Sequence, residues 1–155
     1  MGRQLDRAMK ALKVQLENNT GIAGTVQYCA HVSNIGWQNY VEENELAGTT
    51  KTGLQIEAIR MKLTGELEEQ YDIYYRVHAT NVGWLSWVKN DEKAGTAGYA
   101  YSVQAVEIKI CKKNSAEAPI TDGKGFISEE TVGKIMYQTH VQNIGWKNKV
   151  YDGTT

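Results

Sequence analysis

The chain is poor in several things at once, and each scarcity narrows what it can be. It has two cysteines, Cys29 and Cys111. That is too few for a disulfide framework or a metal-ligand spacing, and either one bridge or two free thiols fits. Its single proline, Pro119, and single phenylalanine, Phe126, fall in the same stretch, residues 111–134. Charge of neither sign dominates. A formal net charge of -1 leaves no electrostatic footprint for nucleic acid or an anionic membrane surface. No apolar run is long enough to span a bilayer, and residues 1–13 mix charged and apolar side chains, so no signal peptide is expected. Catalytic signatures are missing too. There is no Gly-x-Ser-x-Gly, no phosphate loop and no His-Glu-x-x-His. A non-catalytic domain that needs no cofactor is the expectation.

What is present is repetition. One word occurs three times: His31-Val32-Ser33-Asn34-Ile35-Gly36-Trp37, His78-Ala79-Thr80-Asn81-Val82-Gly83-Trp84 and His140-Val141-Gln142-Asn143-Ile144-Gly145-Trp146. A second word steps by 47 residues: Met9 to Leu16, Ile56 to Leu63 and Val103 to Ile110. Between Ile110 and His140 the gap is 15 residues longer than in the other copies, so an insertion lies within 111–134. Copies of one unit multiply a surface more readily than a reaction centre. The result is a single domain of three units, about 8–50, 55–97 and 102–155 with 1–7. The third unit is split between the two ends of the chain.

Periodicity sets the fold class. Val26, Tyr28 and Ala30 alternate with Gln27, Cys29 and His31. Ile73, Tyr75 and Val77 do the same with Tyr74, Arg76 and His78, and Ile135, Tyr137 and Thr139 with Met136, Gln138 and His140. Period two with an aromatic at the same inward place reads as a half-buried strand. The second word alternates as well, with a slip at Ala11, Ala58 and Ala105 that suggests a β-bulge. Residues 3–18 taken alone show helical spacing of Leu5, Met9, Leu12 and Leu16, but the valine- and isoleucine-rich partner copies favour a strand. The expected architecture is all-β: a pseudo-threefold closed ring of long hairpins, each made of the second word followed by the first. A β-prism is favoured over a β-trefoil because the strands are long, and closure would pair the two ends of the chain and remove exposed edges.

In this order and spacing, Tyr-x-x-His-Val-x-Asn-Ile-Gly-Trp, Ala-Gly-Thr and Leu-x-Ile-Glu-Ala-Ile resemble the ChW repeats, clostridial hydrophobic repeats with a signature Gly-Trp. The second unit, from Tyr71 through Trp84 to Gly98, is close to their consensus. The resemblance implies a secreted or cell-surface bacterial protein that binds carbohydrate or protein, and it brings no catalytic residues.

Trp37, Trp84 and Trp146 follow a strand-ending glycine, and caps of each unit's core or a shared binding motif are their two readings, the first favoured. Three residues further on stand Tyr40, Trp87 and Lys149. An aromatic beside Asn39, Glu42 and Glu43, or beside Asn90 and Asp91, supplies what a sugar site needs: a π-face for the pyranose C–H face and polar groups for its hydroxyls. Tyr40 and Trp87 therefore mark the two principal sites, and the third copy, lacking the aromatic and part of the loop, is expected to be degenerate. The expected ligand is a glycan, such as a cell-wall or plant polysaccharide. The rival partner is a protein docked on the 111–134 insertion. His31, His78 and His140 would bind zinc only if they converged. Otherwise each bonds a carbonyl in its own turn, which Asn34, Asn81 or Asn143 closes in Asx fashion.

Overall fold

The computed structural model describes residues 8–129. In chain order its elements are β1 (Ala11–Lys13), β2 (Val26–Val32), β3 (Gly36–Trp37), β4 (Val41–Glu42), β5 (Leu46–Gly48), β6 (Ile56–Leu63), α1 (Gly65–Gln70), β7 (Tyr71–Ala79), β8 (Gly83–Trp84), β9 (Val88–Lys89), β10 (Ala94–Ala97), β11 (Val103–Lys112) and β12 (Phe126–Ser128). The protein is all-β, with one short helix among the described residues, and the stretch around residues 11–13 that has helical spacing is a strand. The strands form three sheets. β1 pairs with β5; β12, β10, β6, β2 and β3 follow one another in the second, where β4 also pairs with β2; β11, β7 and β8 form the third, where β9 also pairs with β7.

Pairing corrects one expectation. The second word does not fold back on the first word that follows it. β6 and β7 lie in different sheets, and each first-word strand instead pairs antiparallel with the second word of the next unit: β2 with β6, and β7 with β11. A hairpin needs a connection of two to five residues, whereas α1 fills the link from β6 to β7 and turns the chain into the next sheet. The slips predicted at Ala58 and Ala105 are real bulges. His31 faces Ala58 while Val32 faces Ile56, so Glu57 is extra; His78 faces Ala105 while Ala79 faces Val103, so Gln104 is extra.

The alternating residues do form the core. Val26, Tyr28, Ala30 and Val32 on β2, Ile59, Met61 and Leu63 on β6, and Ile73, Tyr75, Val77 and Ala79 on β7 are all buried. The two tyrosine hydroxyls at its centre each bond twice to backbone. Tyr28 accepts from Val14 N–H at 3.0 Å and donates to Glu45 O. Tyr75 accepts from Met61 N–H and donates to Glu92 O. In both cases the hydroxyl ties the first-word strand to the second word of its own unit, in the neighbouring sheet, and to the loop between. The copies of the second word also meet at their ends. Ile56 N–H donates to Met9 O at 2.7 Å, and Met9 N–H to Val103 O at 2.8 Å. At the far end the equivalent residues Leu16, Leu63 and Ile110 line one cavity of about 110 Å³.

The Ala-Gly-Thr segments need their glycine for a close approach. Gly95 has φ +127, and a Cβ there would sit 2.4 Å from Glu57 O, at the bulge of β6; Gly48 makes the equivalent approach, 2.3 Å, to Lys10 O. The insertion is no free loop. It returns to the second sheet as β12, parallel to β10, and Gly125 O accepts Gly95 N–H at 2.9 Å. In the first unit the equivalent Gly48 N–H goes to the Gln38 side chain at 2.8 Å, a role Leu85 at the matching position cannot fill.

Removing one of the central hydroxyls tests their weight. Tyr75→Phe leaves Met61 N–H and Glu92 O without that partner in a buried setting and should lower stability by about 1–3 kcal/mol in denaturant unfolding. A loss below a few tenths of that range would show that these groups find other partners.

Candidate ligand-binding site

The functional residues expected from the sequence gather on the outer faces of the second and third sheets. On the second sheet, cross-strand neighbours Cys29 and Arg60 lie beneath Trp37 and Tyr40. The Arg60 guanidinium carbon is 5.7 Å from the Trp37 ring centre and 5.8 Å from that of Tyr40, and Lys62 Nζ is 4.3 Å from the Tyr40 ring. Arg60 is bonded twice to Asp91: Nε donates to its backbone O at 3.0 Å and Nη2 to Oδ2 at 3.1 Å. Tyr40 donates its hydroxyl to Asp91 Oδ1, and burial together with that bond raises its pKa above the usual phenol range. Tyr40 is thus a latch from the loop of the first unit to that of the second. Beneath it burial pushes the Cys29 thiol up; Cys29 and Cys111 are both free and buried.

The third sheet repeats the arrangement with the strands exchanged. Here the cross-strand pair is Arg76 on β7 and Glu107 on β11, so the arginine comes from the first word instead of the second. Its carbon is 4.6 Å from the Trp84 ring centre and 5.0 Å from that of Trp87, and its Nε donates to Glu107 Oε1 at 2.7 Å. A guanidinium over an indole face is favourable by about 0.5–1 kcal/mol when exposed. Ser86 N–H, next to Trp87, donates to Lys124 O of the insertion at 3.0 Å, so the insertion borders this site.

Trp37 and Trp84 are not core caps, the reading that the sequence favours. Trp84 is 42% exposed and Trp37 half-buried; each lies edge-on to the histidine of its own word, at centroid distances of 5.4 and 5.3 Å. The inward places of the sheet are already filled by the alternating aliphatics and Tyr28 or Tyr75, so the indoles fall on the outside. His31 and His78 face the bulge residues and not a turn carbonyl, and of the two contacts only that of His78 has hydrogen-bond geometry. His31 Nδ1 is 3.0 Å from the buried Glu57 carboxylate, and His78 Nδ1 is 2.9 Å from Gln104 Oε1. They sit on separate sheets, and no group of metal-ligating side chains occurs among the described residues. Asn34 and Asn81 both adopt φ 67, so their service to the turn is a left-handed backbone. Trp146 and His140 lie outside the described residues.

The loop residues mostly bond within the protein. Glu43 accepts from Thr25 Oγ1 and from Leu16 N–H at 2.9 Å, bonds that hold its carboxyl below the usual range. Asn90, its equivalent, donates to Asp72 Oδ1 at 2.7 Å and accepts from Ile73 N–H at 3.0 Å. The two units make the same link with acid and partner exchanged. Glu42 accepts from Gln27 at 2.7 Å, and Asn39 is exposed. Sequence reasoning missed Arg60, Lys62, Arg76 and Glu107; the signal was a cation at one member of each facing pair, hidden because the pair's strands were not known to face each other.

A repeat-built all-β domain whose Gly-Trp words display aromatic and basic side chains on outer sheet faces is the class these features define. The clostridial hydrophobic W (ChW) family model matches residues 31–65, 78–112 and 140–155, more than half of the chain, and the chain belongs to that family. Each of the first two matched segments runs from the histidine of one word through the strand that pairs with it, so the family's repeat has the phase of the observed pairing. Comparison with curated proteins and with solved structures gives no match.

Asp72 anchors the loop that carries Asp91, and its charge state is testable. Burial works to raise its pKa, but the Lys113 ammonium at 2.5 Å, the Asn90 amide and Lys89 at 3.8 Å outweigh it and hold the carboxyl below the usual range. A depressed folded pKa stabilises above the unfolded value, near 3.9, and that contribution disappears as pH falls through the folded pKa. Asp72→Asn should therefore cost stability at pH 7 and flatten the acid limb of a stability-against-pH curve below about pH 4. An unchanged acid limb would mean that other carboxyls govern it.

Proposed function

We propose that this domain is a non-catalytic carbohydrate-binding module of a secreted or cell-surface bacterial protein. Its principal site is the face formed by Trp84 and Trp87. The observation that carries the proposal is the exposure of Trp84 beside Trp87 over a shared arginine, on the outside of a rigid sheet. A pyranose stacks its apolar face on an indole while a guanidinium and a carboxylate take its hydroxyls, the combination that Arg76 and Glu107 offer. The Trp37–Tyr40 face is a second, weaker site, because Tyr40 and Arg60 are already committed to Asp91. Weak sites gain through presentation to a polymer.

A glycan array read with three variants tests this. Trp84→Ala and Trp87→Ala should each reduce binding at least about tenfold, and Tyr40→Ala by less. If no glycan binds, or if binding ignores both tryptophans, the sugar reading falls. The competing protein-contact reading rests on Ile120, 74% exposed in the insertion. Ile120→Ser should leave glycan binding intact. Because β12 is part of a sheet, a point change is a cleaner probe than deleting the insertion.

The fold that presents these faces we take to be a closed pseudo-threefold prism. Support comes from the contacts of Met9, Ile56 and Val103, from the cavity shared by Leu16, Leu63 and Ile110, and from the pairing of each first word with the next second word. By the register that pairs Cys29 with Arg60 and Arg76 with Glu107, the third first-word strand would meet the N-terminal second word with Gln138 opposite Lys13. A Lys13→Cys, Gln138→Cys variant should then form that disulfide, identified by peptide mapping. Its absence under mild oxidation, in a folded protein, overturns closure.

A further inference from the structure

The two aromatic faces differ in one respect that bears on ligand chemistry. Arg60 spends its fork on Asp91, with both Nε and Nη2 bonded to that residue. Arg76 does not. Only its Nε is bonded, to Glu107 Oε1, and neither Nη atom has a hydrogen-bond partner among the described residues. Its carbon is fixed between two indoles, at 4.6 and 5.0 Å, and its side chain is 30% exposed. Behind it the support is continuous: Gln104 holds His78, His78 abuts the edge of Trp84, and Trp84 lies against Arg76. A guanidinium oriented by one carboxylate, with its two Nη groups unbonded among the described residues, is a preformed fork for a second planar acceptor.

Building on the carbohydrate-binding reading, we infer that Arg76, clamped between Trp84 and Trp87, reads a carboxylate on the ligand, so that the module selects acidic sugars, uronic acids or other carboxylate-bearing residues, over neutral ones. Stacking on the indoles places the sugar ring, and the Nη pair donates to its carboxylate in bidentate fashion. Glu107 neutralises the arginine in the free protein through Nε alone. A carboxylate at the Nη edge therefore adds to that bond and does not compete for it. On the Trp37–Tyr40 face Asp91, a residue of the protein itself, already takes both Nε and Nη2 of Arg60, so its Nη pair is not left whole for a ligand.

The discriminating experiment pairs each acid with its own methyl ester, which keeps the ring and removes the charge. Oligogalacturonate, hyaluronan oligosaccharides and their methyl esters are titrated calorimetrically into the full chain, with neutral oligosaccharides alongside. The expected result is that at least one acid binds about tenfold or more tighter than its ester, and that added salt weakens the acid only. Arg76→Lys should bring the acid-to-ester ratio near one, since an ammonium cannot form the fork, while Lys51→Ala leaves it unchanged. The ratio measured on the unaltered chain decides the question even if an Arg76 variant folds poorly. Equal binding of acid and ester, abolished by Trp84→Ala, overturns the carboxylate assignment and leaves the sugar module standing. Binding of neutral sugars only does the same. No binding of any acid, ester or neutral oligosaccharide overturns both.

Discussion

A phenol hydroxyl buried in an apolar core must find partners there, and the architecture follows from where Tyr28 and Tyr75 find theirs. Each has no exposed surface. Each takes an N–H from the second word of its own unit and gives its proton to a loop carbonyl, so one atom joins two sheets and fixes the loop that crosses between them. Leaving such a group unsatisfied costs about 1–3 kcal/mol, whereas the net gain of a satisfied bond is nearer 1 kcal/mol. The asymmetry makes the tyrosine a selector more than a stabiliser. Compact arrangements that bury the ring without offering both backbone groups are penalised, and this one is not.

From that constraint the outer surface follows. With the loop tied down at Glu45 or Glu92, the residues two to five positions before it, Tyr40 to Glu43 and Trp87 to Asn90, are carried over the outer face of the first-word strand, where β4 and β9 pair with it. The Gly-Trp strand does the same at the other end of that strand, opposite the histidine. An aromatic from each side therefore converges on the same cross-strand pair. Whichever member of that pair is an arginine ends up beneath both rings. This is why the cation can move from β6 in one unit to β7 in the next without changing what it touches.

Much of this was legible in the sequence. The alternating strands, the bulges at Ala58 and Ala105, and the inward tyrosine are properties of one strand at a time, and period-two patterning reports them directly. The family, too, was visible in short words of fixed spacing. Pairing was not. Whether Ile56 to Leu63 meets the strand before it or after it is a question about partners, and a stretch such as residues 64–70 reads as a linker whether it closes a hairpin or turns a short helix. The misplacement of Trp37 and Trp84 followed from the same gap: an invariant tryptophan looks like core until the inward positions are known to be full.

The insertion shows how the repeats tolerate asymmetry. In the first unit the Gln38 side chain satisfies Gly48 N–H; in the second, Leu85 stands at the matching position and the backbone of Gly125 takes over from outside the unit. The same segment that closes this gap, just before β12, brings Lys124 O to Ser86, one residue from Trp87. A lost side-chain amide in one unit is thus made good by a loop added in another, and the loop comes to rest against the more exposed of the two aromatic faces. The inner tyrosine bonds are common to both units, the outer clusters are not, and the difference between the two faces arises where the units borrow from one another: Asp91 closing the first, and the insertion bordering the second.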